Sequence, residues 1–136
     1  MIVFCDTSAL YAVANRDDES HAAAARIWQQ LVEDERFQPI TTNYVVLETF
    51  SLAQRRRGLQ AARAIAESLD ERVEIAFVDE ALHRAATNDC LQSRKRTISL
   101  VDSVSFAFMR RFSIQTAFAF DRHFSEQGFR SATQLF

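Results

Sequence analysis

Glycine and proline are scarce: the 136-residue chain has two of the first and one of the second. That excludes collagen-like repeats and Gly/Pro-rich disorder. Gly58 and Gly128 stand far apart, so no glycine-rich loop of the GxGxxG or Walker type can cradle a nucleotide. Cysteine is equally rare. Cys5 and Cys90 form no CxxC pair, which argues against a disulfide framework or a cysteine zinc site and fits a reducing cytosol. The three histidines, His21, His83 and His123, make no HExxH pair, and no serine sits in a nucleophile elbow. His21 and His83 read as surface or structural residues, whereas His123, two positions past an aspartate, stands where it could meet a substrate. No apolar run approaches the ~20 residues of a membrane span. No charged segment leads into an apolar stretch at the start, so a secretory signal is not expected. Charge is also nearly balanced, 16 basic against 18 acidic residues, net −2. A globally basic nucleic-acid binder is excluded, but local clusters at Arg55–Arg57, Arg94–Arg96 and Arg110–Arg111 are not. Each of these also reads as a solvated helix end.

What is present is an ordinary globular composition, 48% apolar and 25% charged. The length suits one domain over residues 1–136 and a sizeable core. Met1–Cys5 is an apolar run ending in Asp6 and reads as a buried strand. Helices are expected over Thr7–Asn15 and Ser20–Asp34, the second led by Asp17 or Asp18 as N-cap. Phe37–Thr41 reads as a strand, with Pro39 at an edge or start. Asn43 would cap a helix to about Arg57, which Gly58 ends. A helix over Leu59–Leu69 and a strand over Val73–Val78 follow. Asp79 caps the next helix, which runs to about Arg94. Ser99–Phe112 reads as helix, Gln115–Phe120 as strand, and Phe129 onward as a last short strand. Alternation of helices with short apolar strands predicts an α/β fold with a mainly parallel sheet.

Most acidic residues lie in polar clusters such as Asp17–Glu19, Glu33–Glu35 and Asp70–Glu71, which read as solvated turns and helix ends. Four do not. Asp6 follows Ile2-Val3-Phe4-Cys5, and Asp121 follows Ala117-Phe118-Ala119-Phe120. Both stand at the C-terminal end of a predicted buried strand, the edge at which parallel sheets bind ligands. Glu48 lies within Val45-Val46-Leu47-Glu48-Thr49-Phe50, and Asp102 within Leu100-Val101-Asp102-Ser103-Val104. A carboxylate on a buried helix needs a partner, since an unpaired buried charge costs several kcal/mol. Each acid also has a structural reading. Asp102 could complement a helix dipole, Asp6 and Asp121 could cap helices, and Glu48 could pair with Arg55. Asp79 also follows a strand, but it directly precedes a well-patterned helix and reads as its cap.

Of the four, only Asp121 has a basic neighbour in sequence, Arg122. A carboxylate cluster without counter-ions suggests a hard divalent cation, and all-oxygen ligation favours Mg²⁺ or Mn²⁺ over zinc. Such a site supports metal-assisted phosphodiester hydrolysis.

These segments resemble the PIN-domain ribonuclease family, in particular toxins of the VapC type from bacterial toxin–antitoxin pairs. Ile2-Val3-Phe4-Cys5-Asp6-Thr7-Ser8-Ala9-Leu10 is similar to the family's first strand and Asp-Thr-Ser turn. Thr42-Asn43-Tyr44-Val45-Val46-Leu47-Glu48-Thr49 resembles its glutamate-bearing helix. Ser99-Leu100-Val101-Asp102-Ser103-Val104-Ser105-Phe106 resembles its third acidic motif, and Ala117-Phe118-Ala119-Phe120-Asp121-Arg122-His123-Phe124 its fourth, followed by Gln127-Gly128-Phe129. The resemblance spans essentially the whole chain. It implies a PIN domain, a Rossmann-like central parallel β-sheet flanked by α-helices. It also implies that Asp6, Glu48, Asp102 and Asp121 surround one or two Mg²⁺ or Mn²⁺ ions and act as the catalytic set. Ser8 and Asn43 resemble supporting polar positions, and Arg94, Lys95, Arg96 and Arg122 are candidates to guide RNA backbone. The implied protein is a cytoplasmic, metal-dependent endoribonuclease toxin acting as a homodimer, with a cognate VapB-like antitoxin whose tail obstructs the metal site. Two other readings stay open: a PIN nuclease of RNA processing that is not a toxin, and a non-catalytic protein whose acids hold a structural ion or partner arginines.

Overall fold

A computed structural model describes all residues, Met1–Phe136. The chain runs β1 (Ile2–Cys5), α1 (Thr7–Ala14), α2 (His21–Glu33), β2 (Gln38–Thr42), α3 (Asn43–Arg57), α4 (Leu59–Arg72), β3 (Glu74–Ala76), α5 (Glu80–Ser93), α6 (Leu100–Arg111), β4 (Thr116–Phe118), α7 (His123–Glu126) and β5 (Arg130–Ser131). The five strands form one sheet in the order β3-β2-β1-β4-β5, and every neighbouring pair is parallel. The strands therefore need crossovers, and the helices supply them. The expected α/β class with a central parallel sheet is the one observed.

The strand order places the site. From β1 the chain steps outward to β2 and β3, then returns to lay β4 on the other side of β1. The direction of winding reverses between β1 and β4, and the C-terminal ends of two such strands flank an open crevice. Asp6 follows β1 directly, and its backbone N–H donates to Phe118 O at the end of β4 (3.0 Å).

Both sheet faces are buried, as a parallel sheet requires. Cys5 is in register with Phe118, so those side chains share a face and Phe4 points to the other. Phe4 meets Phe108 of α6 and Phe124 of α7, with ring centroids at 5.9 and 6.3 Å. On the opposite face Phe118 stacks on Trp28 of α2 at 6.5 Å. Phe4 and Phe118 are fully buried, together with Val3, Ile27, Leu31, Val45, Val104 and Met109. Burying any one such side chain contributes roughly 1.5–3 kcal/mol.

Several boundaries differ from the sequence expectation, each for a local reason. Thr42, not Asn43, caps α3: its hydroxyl accepts from Val45 N (3.3 Å). Asn43 instead turns its side-chain oxygen to Val78 N (2.9 Å) and fastens the loop after β3. Ser20, not Asp17 or Asp18, stands at the start of α2 and makes no side-chain cap bond; Asp18, two residues earlier, accepts from Ser20 N (2.8 Å). Helix α4 runs three residues past Leu69 to Arg72, which shortens β3 to Glu74–Ala76. Gly58 does end α3, at φ +96°, a conformation that suits glycine. Strand β4 stops at Phe118, because Phe120 N leaves the ladder and donates to Ser8 Oγ (3.0 Å).

Candidate active site

Asp6 is 3% exposed and is the N-cap of α1. Its Oδ2 accepts from Ser8 N (3.1 Å) and Ser8 Oγ (2.7 Å). Ser8 Oγ in turn accepts from Phe120 N (3.0 Å), the residue before Asp121. One hydroxyl thus joins the loop after β1 to the loop after β4. Asp102 is 8% exposed and forms a capping box with Ser99: Ser99 Oγ accepts from Asp102 N, and Asp102 Oδ2 from Ser99 N, both at 3.0 Å. Asp121 Oδ1 accepts from His123 N (2.9 Å) and lies 3.9 Å from His123 Nε2.

The cap reading therefore holds for Asp6, and Asp102 does stand in the first turn of its helix; Asp121 bonds the first amide of α7, but the N-cap there is Arg122. Each aspartate commits one oxygen to a backbone N–H, while its second oxygen accepts no hydrogen bond from the protein. Glu48, half-buried on α3, has no Lys or Arg partner, so the pairing with Arg55 does not form. Arg122 extends away and pairs with Glu126 (3.5 Å) instead of Asp121.

The electrostatics follow from burial without counter-ions. Burial pushes the Asp6 carboxyl up to about 7 against the pull of its Ser8 bonds, and the Asp102 and Glu48 charges push it further. Glu48 is raised by burial, with the nearby Thr7 hydroxyl opposing and the Asp102 and Asp121 charges adding to it. Asp102 is raised by burial and by Asp121, against its bonds to Ser99. Every one of the four acids is coupled to at least one other. Asp79 is the counterexample. It caps α5 through Leu82 N (2.8 Å), pairs with Arg111 (3.2 Å), and its carboxyl is held below the usual range by those contacts.

The four side chains do not form a closed cage as they stand: no three His, Cys, Asp or Glu are grouped tightly enough to grip an ion. The donor set nonetheless fits a hard divalent cation. It is all carboxylate oxygen, it lacks a neutralising base, and three of its members each keep an oxygen without a donor.

Of the other expected residues, Ser8 belongs to the site and Asn43 does not touch the acids. Arg94, Lys95 and Arg96 are exposed, free of ion pairs, and lie on the loop that leads into the Ser99–Asp102 box. His21 Nδ1 bonds Ala12 O (2.8 Å), and His83 bonds the Tyr44 hydroxyl, both structural contacts. His123 is buried beside Asp121, with Nδ1 3.2 Å from Glu126. Sequence reasoning missed Ser99, although the Ser-x-x-Asp spacing of a capping box is legible. It also missed Thr7 and Thr49, whose hydroxyls meet across 42 positions of sequence.

Comparison with known proteins shows the family and agrees with the fold. A family model, the PIN domain, matches residues 3–130. Over 131 residues the chain is 37% identical to the "23S rRNA-specific endonuclease VapC20" of two Mycobacterium tuberculosis strains, CDC 1551 / Oshkosh and ATCC 25618 / H37Rv, covering 94% of this chain and 95% of each relative. The crystal structure of M. tuberculosis VapC20, described as a sarcin–ricin loop cleaving toxin, superposes with a TM-score of 0.84 at 37% identity, over 95% of this chain and 96% of that one. VapBC2 from Rickettsia felis, solved with a DNA fragment from its promoter, gives 0.70 at 12% identity over 96% and 97% of the chains. VapBC-1 from nontypeable Haemophilus influenzae gives 0.64 at 18% over 96% of each. These last two share the fold.

The raised Asp6 carboxyl has a measurable consequence. Its folded value, about 7, exceeds an unfolded value of about 4. The stability it contributes is complete below pH ~4 and lost as pH rises through ~7. The metal-free protein is expected to lose thermal stability across that window through this group. Asp6→Asn, which cannot ionise, is expected to melt higher than wild type near pH ~8. Melting curves of both proteins in EDTA from pH ~4 to ~8 check this; an Asn variant that melts lower at the upper end would contradict it.

Proposed function

The chain belongs to the PIN-domain family, and on that footing we propose that it is a divalent-metal-dependent endoribonuclease, the toxin of a VapBC-type pair. One observation carries the proposal: four carboxylates drawn to the β1/β4 crevice, none of them paired with a lysine or arginine. Asp6, Glu48 and Asp102 would hold Mg²⁺ or Mn²⁺, and Asp121 would complete the set or orient the attacking water. A bound ion of this kind lowers the pKa of water and stabilises charge on a reacting phosphodiester. The chain's own part is to fix those oxygens. Ser8 sets the Asp6 carboxylate and ties it to the Asp121 loop, and the Ser99 box sets Asp102.

The substrate is RNA, and the resemblance to VapC20 makes the sarcin–ricin loop of 23S rRNA the target to propose. Arg94, Lys95 and Arg96 would grip its backbone beside Asp102, and Arg122 would do so beside Asp121. The antitoxin is a VapB-like chain. An apolar cleft between α1, α2 and α4, lined by Leu10, Val13, Trp28, Ile65 and Leu69, suits such a partner, and Asp6 caps α1. The toxin acts in the cytoplasm, where its RNA is.

We also propose a homodimer, because Leu47, Phe77 and Leu91 are 68%, 80% and 74% exposed. Light scattering at micromolar concentration is expected to give twice the mass of one chain; the mass of a single chain would contradict it.

The activity is tested by incubating the protein with bacterial ribosomes and Mg²⁺ or Mn²⁺ and mapping the 23S rRNA by primer extension. One discrete cut is expected with wild type, lost with EDTA. Asp6→Asn or Asp102→Asn should reduce cleavage by at least roughly 10²-fold. Undiminished cleavage by these variants, or cleavage in EDTA, would overturn the proposal.

A further inference from the structure

Two of the four acids are each followed by a threonine: Thr7 after Asp6, and Thr49 after Glu48. The two threonines meet in the interior. Thr49 Oγ1 donates to Thr7 Oγ1 at 3.2 Å, with Thr49 fully buried and Thr7 7% exposed. A hydroxyl that accepts one bond still has its own proton to give. Thr7 stands in the first turn of α1, where no carbonyl of the preceding turn can take that proton. The Glu48 carboxylate is near enough for the Thr7 hydroxyl to favour its charged form.

The consequence is a constraint on the most mobile ligand of the set. Asp6 and Asp102 are short side chains locked by Ser8 and Ser99. Glu48 is longer, has one more rotatable bond and is only half-buried. Neither a base nor a backbone N–H holds it. A threonine hydroxyl fixed to the start of α1 and steadied by Thr49 is the restraint on where its oxygens point.

We propose that Thr7 is a positioning residue: its hydroxyl, accepting from Thr49 and donating to Glu48, holds the Glu48 carboxylate in place beside Asp6 for the divalent ion. This rests on the metal-nuclease reading above and adds a residue to it. A plain packing role, fastening α1 to α3, would depend on the methyl group and shape of Thr7 and would be preserved by valine. Positioning depends on the hydroxyl and would be preserved by serine.

The test is Mn²⁺ affinity of the full chain, measured by calorimetry or by loss of free-ion EPR signal, for wild type, Thr7→Val, Thr7→Ser and Thr49→Val. Loss of such an outer partner is expected to weaken metal binding roughly 10- to 100-fold. Thr7→Val should show that loss, with a matching fall in kcat for RNA cleavage and little change in KM. Thr7→Ser should stay close to wild type in both. Thr49→Val, which leaves Thr7 unsteadied, should fall between, and it carries the test if Thr7→Val does not fold. Thr7→Val or Thr49→Val binding Mn²⁺ as wild type does would overturn the role of Thr7 and leave the metal site standing. A serine variant as impaired as the valine variant would also overturn it. Wild type that binds no Mn²⁺ would remove the metal reading itself and this inference with it.

Discussion

Carboxylates have been drawn together at the end of a buried sheet with no lysine or arginine beside them, and the rest of the site is arranged around that. Water would solvate each charge, but Asp6 and Asp102 are nearly out of its reach. Their mutual repulsion and desolvation raise Asp6, Glu48 and Asp102 together. Such a cluster is costly to a protein on its own and is relieved by a cation. The same tension that destabilises the metal-free chain would favour binding of an ion under the proposed function. Asp79 shows what an acid looks like when the fold has settled its charge: a helix cap, an arginine, and a depressed pKa.

The sheet order turns this local chemistry into a site. Because β4 returns beside β1, two residues 115 positions apart in sequence, Asp6 and Asp121, leave adjacent strands at the same edge. Ser8 links the two exits, and the helices α3 and α6 bring Glu48 and Asp102 in from the side. The caps have a double use. A carboxylate that satisfies a helix N-terminus with one oxygen is immobilised, and its other oxygen is then presented in a fixed direction. Structural and functional readings of these acids are two halves of one arrangement.

Much of this was legible in the chain. Asp6 and Asp121 follow apolar runs that read as interior strands, and Glu48 and Asp102 interrupt apolar stretches of helix, so their exceptional status shows without coordinates. The parallel sheet followed from the alternation of elements. What could not be read were the choices made by tertiary contacts. Thr42 and Asn43 are both good caps, and only the position of Val78 N decides which one does it. The end of β4 depends on Ser8, more than a hundred residues earlier. Helix α7 is four residues long, too short to leave a period. The Thr7–Thr49 bond joins positions 42 apart and has no local signature.

The central claim is that these four acids are one divalent-cation site, and crystals soaked in Mn²⁺ test it most directly through anomalous scattering. A peak within about 2–2.5 Å of oxygens from Asp6, Glu48 and Asp102, with Asp121 beside it, is the result this account predicts. A crevice in which those carboxylates remain without an ion at millimolar Mn²⁺, or are neutralised by basic side chains instead, would contradict it.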